Sequence, residues 1–219
     1  MLMLIGAVVG AYFLGSLSGS LLIGRLRGVD IRKQGSGNAG GTNAFRTQGW
    51  RFALGVVFID VGKGIAAAWL GLHVAMSAPA PFDSAFAQAA LCGFAAVVGH
   101  CWPVFFGFRG GKGAATAVGA MVVLSPALVL PLLGVWALML IATGYVGLST
   151  IIAVVAFPVM ASTMPVTGSA TAPTLRVFAI AVALLIVFTH RENVVRLIRG
   201  TEFRFEKARL LHRLAQRLG

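Results

Sequence analysis

The sequence predicts an all-α polytopic membrane protein with seven transmembrane helices, its N-terminus outside and its C-terminus cytoplasmic. Three observations lead there. Of 219 residues, 58% are hydrophobic and only 11% charged, with a mean hydropathy of +0.89, whereas soluble domains are about a quarter charged. Such a chain has too little polar surface to cover itself in water, and it is equally far from the highly charged composition of disorder. Apolar runs long enough to cross a bilayer, about 20 residues each, recur along the chain. The net charge of +12 gathers in a few polar segments. It reads as positive-inside loops facing anionic lipid rather than as a nucleic-acid surface.

The first expected span is Met1 to Gly24. A cleavable signal peptide carries a basic stretch before its apolar run, and none precedes this one, so it is read as a retained helix. The polar segment Arg25 to Arg51 closes it. Phe52 to Met76 forms a second span carrying Asp60 and Lys63, and Ser77 to Ser84 a short connector. Ala85 to Phe106 forms the third, followed by the loop Gly107 to Gly113. The apolar run from Ala114 to about Ala142 is too long for one crossing and divides at Ser125-Pro126 into a fourth and a fifth helix. Thr143 to Thr150 is a polar break. A sixth helix then runs to about Thr163, a connector holds Pro165 and Pro173, and a seventh helix runs from about Leu175 to Thr189. Residues 1–190 are thus a seven-helix transmembrane domain and 191–219 a basic cytoplasmic tail. In the tail Leu210, Leu211, Leu214 and Leu218 alternate with arginines as in an amphipathic helix lying on the inner leaflet. Six Lys and Arg lie in 25–51, two in 107–113 and eight in the tail, which sets the orientation.

GSGNAGGTNAFR, Gly35 to Arg46, packs four glycines, one serine, two asparagines, one threonine and one arginine into twelve residues. Glycines let backbone N–H groups close on a ligand. Ser36, Asn38, Thr42 and Asn43 add hydroxyl and amide groups, and Arg46 a fork suited to phosphate. The sum is an oxyanion-binding loop at the membrane surface, although a polar linker has a similar composition. In the second glycine-rich segment, Gly107 to Thr116, Lys112 stands at the start of the next apolar run. Helix N-termini attract anions, yet Arg109 and Lys112 would also serve as membrane anchors. Ser149, Thr150 and Tyr145 offer hydroxyls at the polar break. His190, Glu192 and Asn193 gather where the last span ends; His190 suits proton transfer or a helix C-cap. His73 and His100, near helix ends in apolar surroundings, and His212 in the tail read as structural or solvated. Asp60 and Lys63 can pair at i, i+3 in a structural or supporting role. Cys92 and Cys101 lack the close spacing of a metal or redox pair, and no metal-ligand pattern appears.

These segments resemble the bacterial acylphosphate-dependent glycerol-3-phosphate acyltransferases, the PlsY family. Gly35 to Arg46 is similar to the family's first signature, Gly110 to Thr116 to its second and His190 to Asn193 to its third; Gly15 to Gly24 and the DxxKG at Asp60 are similar too. The resemblance implies seven helices, no cofactor, and transfer of an acyl group from acyl phosphate to the 1-hydroxyl of glycerol 3-phosphate at the cytoplasmic face of the inner membrane. It implies catalytic roles for Ser36, Arg46, Lys112, Ser149, His190 and Asn193. It implies phosphate binding by Gly35, Ser36, Gly37, Asn38, Gly40, Thr42, Asn43, Arg46, Gly110, Gly111 and Lys112. The family often has arginine where this chain has Gly144. The partners expected are the two substrates and membrane lipids, with no nucleic acid and no obligate protein. The rival reading is a transporter for a phosphorylated solute, and a lipid-surface scaffold ranks last because it leaves the first glycine loop without a purpose.

Overall fold

The structure, a computed structural model, describes residues 1–73, 79–164 and 171–206. It is all-helical over the described residues: α1 (Leu2–Gly15), α2 (Gly19–Leu26), α3 (Gly41–Gln48), α4 (Trp50–His73), α5 (Ala85–Cys101), α6 (Ala114–Leu124), α7 (Pro126–Thr143), α8 (Val146–Thr163), α9 (Ala172–Thr189) and α10 (Arg191–Ile198), with 3₁₀ turns at Ile31–Lys33 and Val104–Phe106. Five helices, α4, α5, α7, α8 and α9, are long and apolar enough to cross a membrane, α5 together with the turn that follows it. The pair α1 and α2 makes a sixth if its 50° bend is counted within one span, and α6 is shorter. The expected tail helix, His212 and parts of the connectors at 74–78 and 165–170 lie outside the described residues.

The first span, expected as one helix, is therefore broken. Ser16 to Ser18 interrupts it, and in hydrocarbon the freed backbone groups need partners. α4 supplies them. Lys63 Nζ donates to Gly15 O at 2.8 Å and to Leu17 O at 3.1 Å, capping the end of α1. The Gly19 N–H donates to Asp60 Oδ1 at 3.1 Å at the start of α2. The division at Ser125-Pro126 falls where the sequence puts it, with Pro126 at the first turn of α7, where its missing N–H leaves no bond unmade. The polar break at 143–150 is shorter than expected: only Gly144 and Tyr145 separate α7 from α8, and Ser149 lies in the first turns of α8.

α4, α5 and α6 approach closely through small residues, as expected where lipid gives helices no hydrophobic reason to associate. A Cβ on Gly64 would run into Thr116 O, and one on Gly119 into Val61 O. α7, α8 and α9 pack through larger side chains, with Phe157 and Phe178 edge to face at 6.1 Å. Outward positions such as Phe58, Leu130, Leu138 and Leu184 are exposed and apolar, as a lipid-facing surface requires.

Candidate active site

Both glycine-rich loops and the α9–α10 junction meet at one end of the bundle. The first loop is shaped from within. Gly35 has φ +56°, in the left-handed region, and a side chain there would collide with Asn43 Oδ1. Asn43 is 1% exposed and is fully engaged in the loop. Its Oδ1 accepts from the Ser36 N–H at 3.0 Å, and its Nδ2 donates to Ile31 O and Gln34 O at 3.2 and 3.0 Å. It holds the curve that presents Ser36, Gly37 and Asn38.

The second loop is tied to the end of α5 by Gly110 N–H to Cys101 O, 3.2 Å, and Gly111 N–H to His100 O, 3.1 Å. Gly113, at φ +88°, turns the chain into α6 with its Cα packed on Val97 and Cys101. Arg32 joins the two loops, donating to Phe106 O at 2.9 Å while pairing with Asp30 at 2.9 Å. Between the loops lies a polar cavity of ≈ 200 Å³, walled by Ser36, Gly37, Asn38, Gly110, Gly111 and Lys112, with Arg32, Arg109, Thr189, Arg191 and Glu192.

Lys112 lies at the centre of the charges. It hydrogen-bonds Asn193 Oδ1; Asn193 Nδ2 donates to Glu202 Oε1 at 2.8 Å, and Glu202 Oε2 accepts from Arg196 Nε at 2.7 Å. Burial, then the nearby Arg196, brings the Lys112 ammonium down to about 8, with Glu202 and Glu192 opposing. His190 is buried, and its Nδ1 lies 2.8 Å from Ile186 O. A carbonyl offers only lone pairs, so Nδ1 carries the proton and Nε2 is left as an acceptor. Burial and the neighbouring Lys112 lower His190 to about 4, so it is neutral at pH 7.

The remaining expected residues fall elsewhere. Gly40 starts α3 beside the Asn38 amide. Thr42 faces a second, apolar cavity of ≈ 320 Å³, walled also by Ala114, Ala115, Met121, Trp136, Thr150 and Phe157. Arg46 lies against a pair of edge-to-face rings, its guanidinium carbon 3.9 Å from the Phe203 centroid and 4.8 Å from that of Phe205. Its Nε is buried without a hydrogen bond; burial, more than Arg196 nearby, lowers its pKa. Ser149 is buried, its hydroxyl donating to Tyr145 O at 2.8 Å. At Gly144 φ is +78°, a conformation that strains any side chain, and the Arg204 guanidinium lies over the adjacent Tyr145 ring at 5.0 Å.

Sequence reasoning missed Arg32, Glu202, Phe203, Phe205 and the setting of His100. Its ring is not in apolar surroundings but against Asp60 and Lys63, 3.3 and 2.9 Å away. The one signal for Glu202 is its sign, an acid within a basic tail. Among the described residues no group of three His, Cys, Asp or Glu side chains is placed to hold a metal ion.

The family profile described as glycerol-3-phosphate acyltransferase matches residues 5–200. A glycerol-3-phosphate acyltransferase of Chlorobaculum tepidum is 38% identical over 230 residues, spanning 95% of this chain and 99% of that protein. One of Chlorobium limicola is 37% identical, spanning 93% and 97%. The chain is also similar to crystal structures of PlsY (YgiH), an integral membrane glycerol 3-phosphate acyltransferase. The glycerol 3-phosphate form matches with a TM-score of 0.81 and 34% identity, over 95% of this chain and 98% of that one. The lysophosphatidic acid form matches with a TM-score of 0.81 and 33% identity, over 96% and 99%. A profile match over most of the chain, relatives of nearly equal length and a shared fold converge, and the chain belongs to the glycerol-3-phosphate acyltransferase family.

Proposed function

We propose that this protein transfers a fatty acyl group from an acyl phosphate to the 1-hydroxyl of glycerol 3-phosphate, giving lysophosphatidic acid and inorganic phosphate. The observation that carries the reading is the meeting of two unlike cavities across Lys112–Ala114: a cationic polar one and an apolar one. An acyl phosphate has an anionic head and an apolar tail, and each half finds its matching surface. The solved relatives with glycerol 3-phosphate and lysophosphatidic acid support the same substrate and product.

The mixed anhydride is already activated, so the task is to orient two anions and neutralise charge as it develops. Lys112, the loop amides, Ser36 and Asn38 hold phosphate, and Arg32, Arg109 and Arg191 supply the surrounding positive field. Asn43 and Gly35 shape the loop, Arg46 adds charge from the rim, and Asn193 aims Lys112. Ser149, its proton taken by a backbone carbonyl, supports the α8 turn against Asn193. The glycerol hydroxyl oxygen attacks the acyl carbon, and the C–O bond to phosphate breaks. At about 4, His190 is a weaker proton acceptor than a phosphate dianion, whose second pKa is ~6. The proton therefore passes to a phosphate oxygen while His190 Nε2 orients the hydroxyl. No acyl-enzyme is needed.

We count seven crossings: the bent pair α1–α2, α4, α5, the short α6, α7, α8 and α9. The glycine loops and α10 face the cytoplasm of a bacterial inner membrane, the side on which the Lys and Arg gather. The test is phosphate release from palmitoyl phosphate in detergent, where no compartments exist. Release that depends on glycerol 3-phosphate and is lost in Lys112→Ala supports the assignment. Binding without turnover in a folded wild type would instead favour the transporter.

A further inference from the structure

Behind the second glycine loop lies a buried cluster that the reaction above does not use. Asp60, Lys63 and His100 are 1%, 5% and 3% exposed. Lys63 Nζ lies 3.0 Å from Asp60 Oδ1 and 2.9 Å from His100 Nδ1, which is itself 3.3 Å from the same carboxylate oxygen. The Nδ1 edge of the imidazole is thus shared between the Lys63 ammonium and the Asp60 carboxylate, and Nε2 lies on the opposite edge. That nitrogen faces the loop: a Cβ on Gly111 would collide with it. The backbone at the same place grips the loop again, His100 O and Cys101 O accepting from the Gly111 and Gly110 N–H groups at 3.1 and 3.2 Å. The next residue is Lys112.

Capping the α1–α2 break accounts for Asp60 and Lys63, which make the bonds to Gly15, Leu17 and Gly19. It does not account for the imidazole, whose side-chain contacts run from Lys63 and Asp60 on one edge to Gly111 on the other. Paired charges this deep are costly to assemble, and His100 is the link by which they reach the site. We propose that His100, oriented by Asp60 and Lys63, is a positioning residue that seats Gly110–Gly111 and so sets where the Lys112 ammonium meets substrate phosphate. The inference rests on the reading of Lys112 given above.

The test follows phosphate release from palmitoyl phosphate across pH, with thermal midpoints, for wild type, Lys112→Ala, His100→Ala, His100→Gln and Gly111→Ala. Loosening the loop in His100→Ala or Gly111→Ala is expected to lower kcat about tenfold or more, while KM for palmitoyl phosphate stays within about twofold. In the unliganded site burial brings Lys112 to about 8, which sets the alkaline limit of kcat/KM; in both variants that limit moves to higher pH as the ammonium gains water. The titratable and charged groups around Lys112, which are Arg46, His190, Glu192, Arg196 and Glu202 together with Arg32, Arg109 and Arg191 in the cavity wall, keep their identity in each variant, so the movement reports on the loop. His100→Gln keeps a planar polar group against Gly111 and restores about a third of the rate or more. Gly111→Ala keeps all three side chains of the cluster and presses on the same contact from the loop side, meeting His100 Nε2 and also Ala39 O, so the loop is displaced even where His100→Ala does not fold. A rate that falls only with the thermal midpoint, the alkaline limit unmoved, overturns the inference. Loss in Lys112→Ala beside a wild-type rate and limit in His100→Ala overturns it alone. A wild-type rate in Lys112→Ala overturns it together with the reading of Lys112.

Discussion

In the proposed reaction Lys112 carries both a function and a cost. Its folded value of about 8 against an ordinary 10.5 means that the folded protein disfavours the ammonium. Below pH 8 both folded and unfolded chains hold the proton, and folding bears the full cost of burying it. Between 8 and 10.5 the unfolded chain binds more protons, so stability gains from this group as pH rises. Activity runs the other way, because the phosphate needs the charged form. A pH–rate profile should fall as pH climbs through about 8, and Lys112→Arg, which stays charged, should extend the active range upward at reduced rate. Lys112→Met should abolish turnover yet raise the thermal midpoint, the usual exchange of stability for function at a site. His190 admits an equally direct comparison. If it orients the hydroxyl, His190→Gln should retain activity within about tenfold, whereas His190→Ala should lose about a hundredfold or more. Sequence pattern singles out both residues as candidates, since each stands in a compact motif. It left base or orienter open for His190, because that depends on the Ile186 carbonyl holding Nδ1 and on the depth of burial.

At the scale of helices, the long spans were legible because bilayer thickness imposes their length, and Ser125-Pro126 marked its own boundary. The break in the first span, α3 and α10 were not foreseen. The short helices are set by loop geometry rather than by a run of apolar residues, and the break is made tolerable by side chains more than forty positions away in sequence. The i, i+3 spacing of Asp60 and Lys63 disclosed their pairing but not the backbone groups they cap. The close contact between α4 and α6 gives a controlled test. Gly64→Ala places a methyl against Thr116 O and should cost about 1–3 kcal/mol, read as a lower thermal midpoint. Gly62→Ala, two residues along the same helix with open space around it, should be neutral or stabilise by up to ~1 kcal/mol.

Across the whole molecule, the segment after α10 crosses back over the site. Phe205 N–H donates to Gly144 O at 2.8 Å, and Arg204 Nε to Thr143 O at 3.0 Å, while Phe203 and Phe205 clasp Arg46 and Glu202 steadies Asn193 beneath Lys112. Composition could not disclose this: the tail's basic charge reads as membrane affinity, and its packing on the helices is a matter of distance in space. Replacing Phe203 and Phe205 together by alanine should release Arg46 and lower kcat/KM for glycerol 3-phosphate by about threefold to thirtyfold, the range expected for lost cation–π contacts. Because these residues follow the described membrane spans, a polypeptide still emerging from the ribosome can have those helices inserted and yet leave Arg46 without its rings and Asn193 without Glu202. In the proposed reaction, acyl transfer then reaches its full rate only once residues 202–205 have been made and docked, so a product interrupted before that point draws more slowly on the lipid precursor pool.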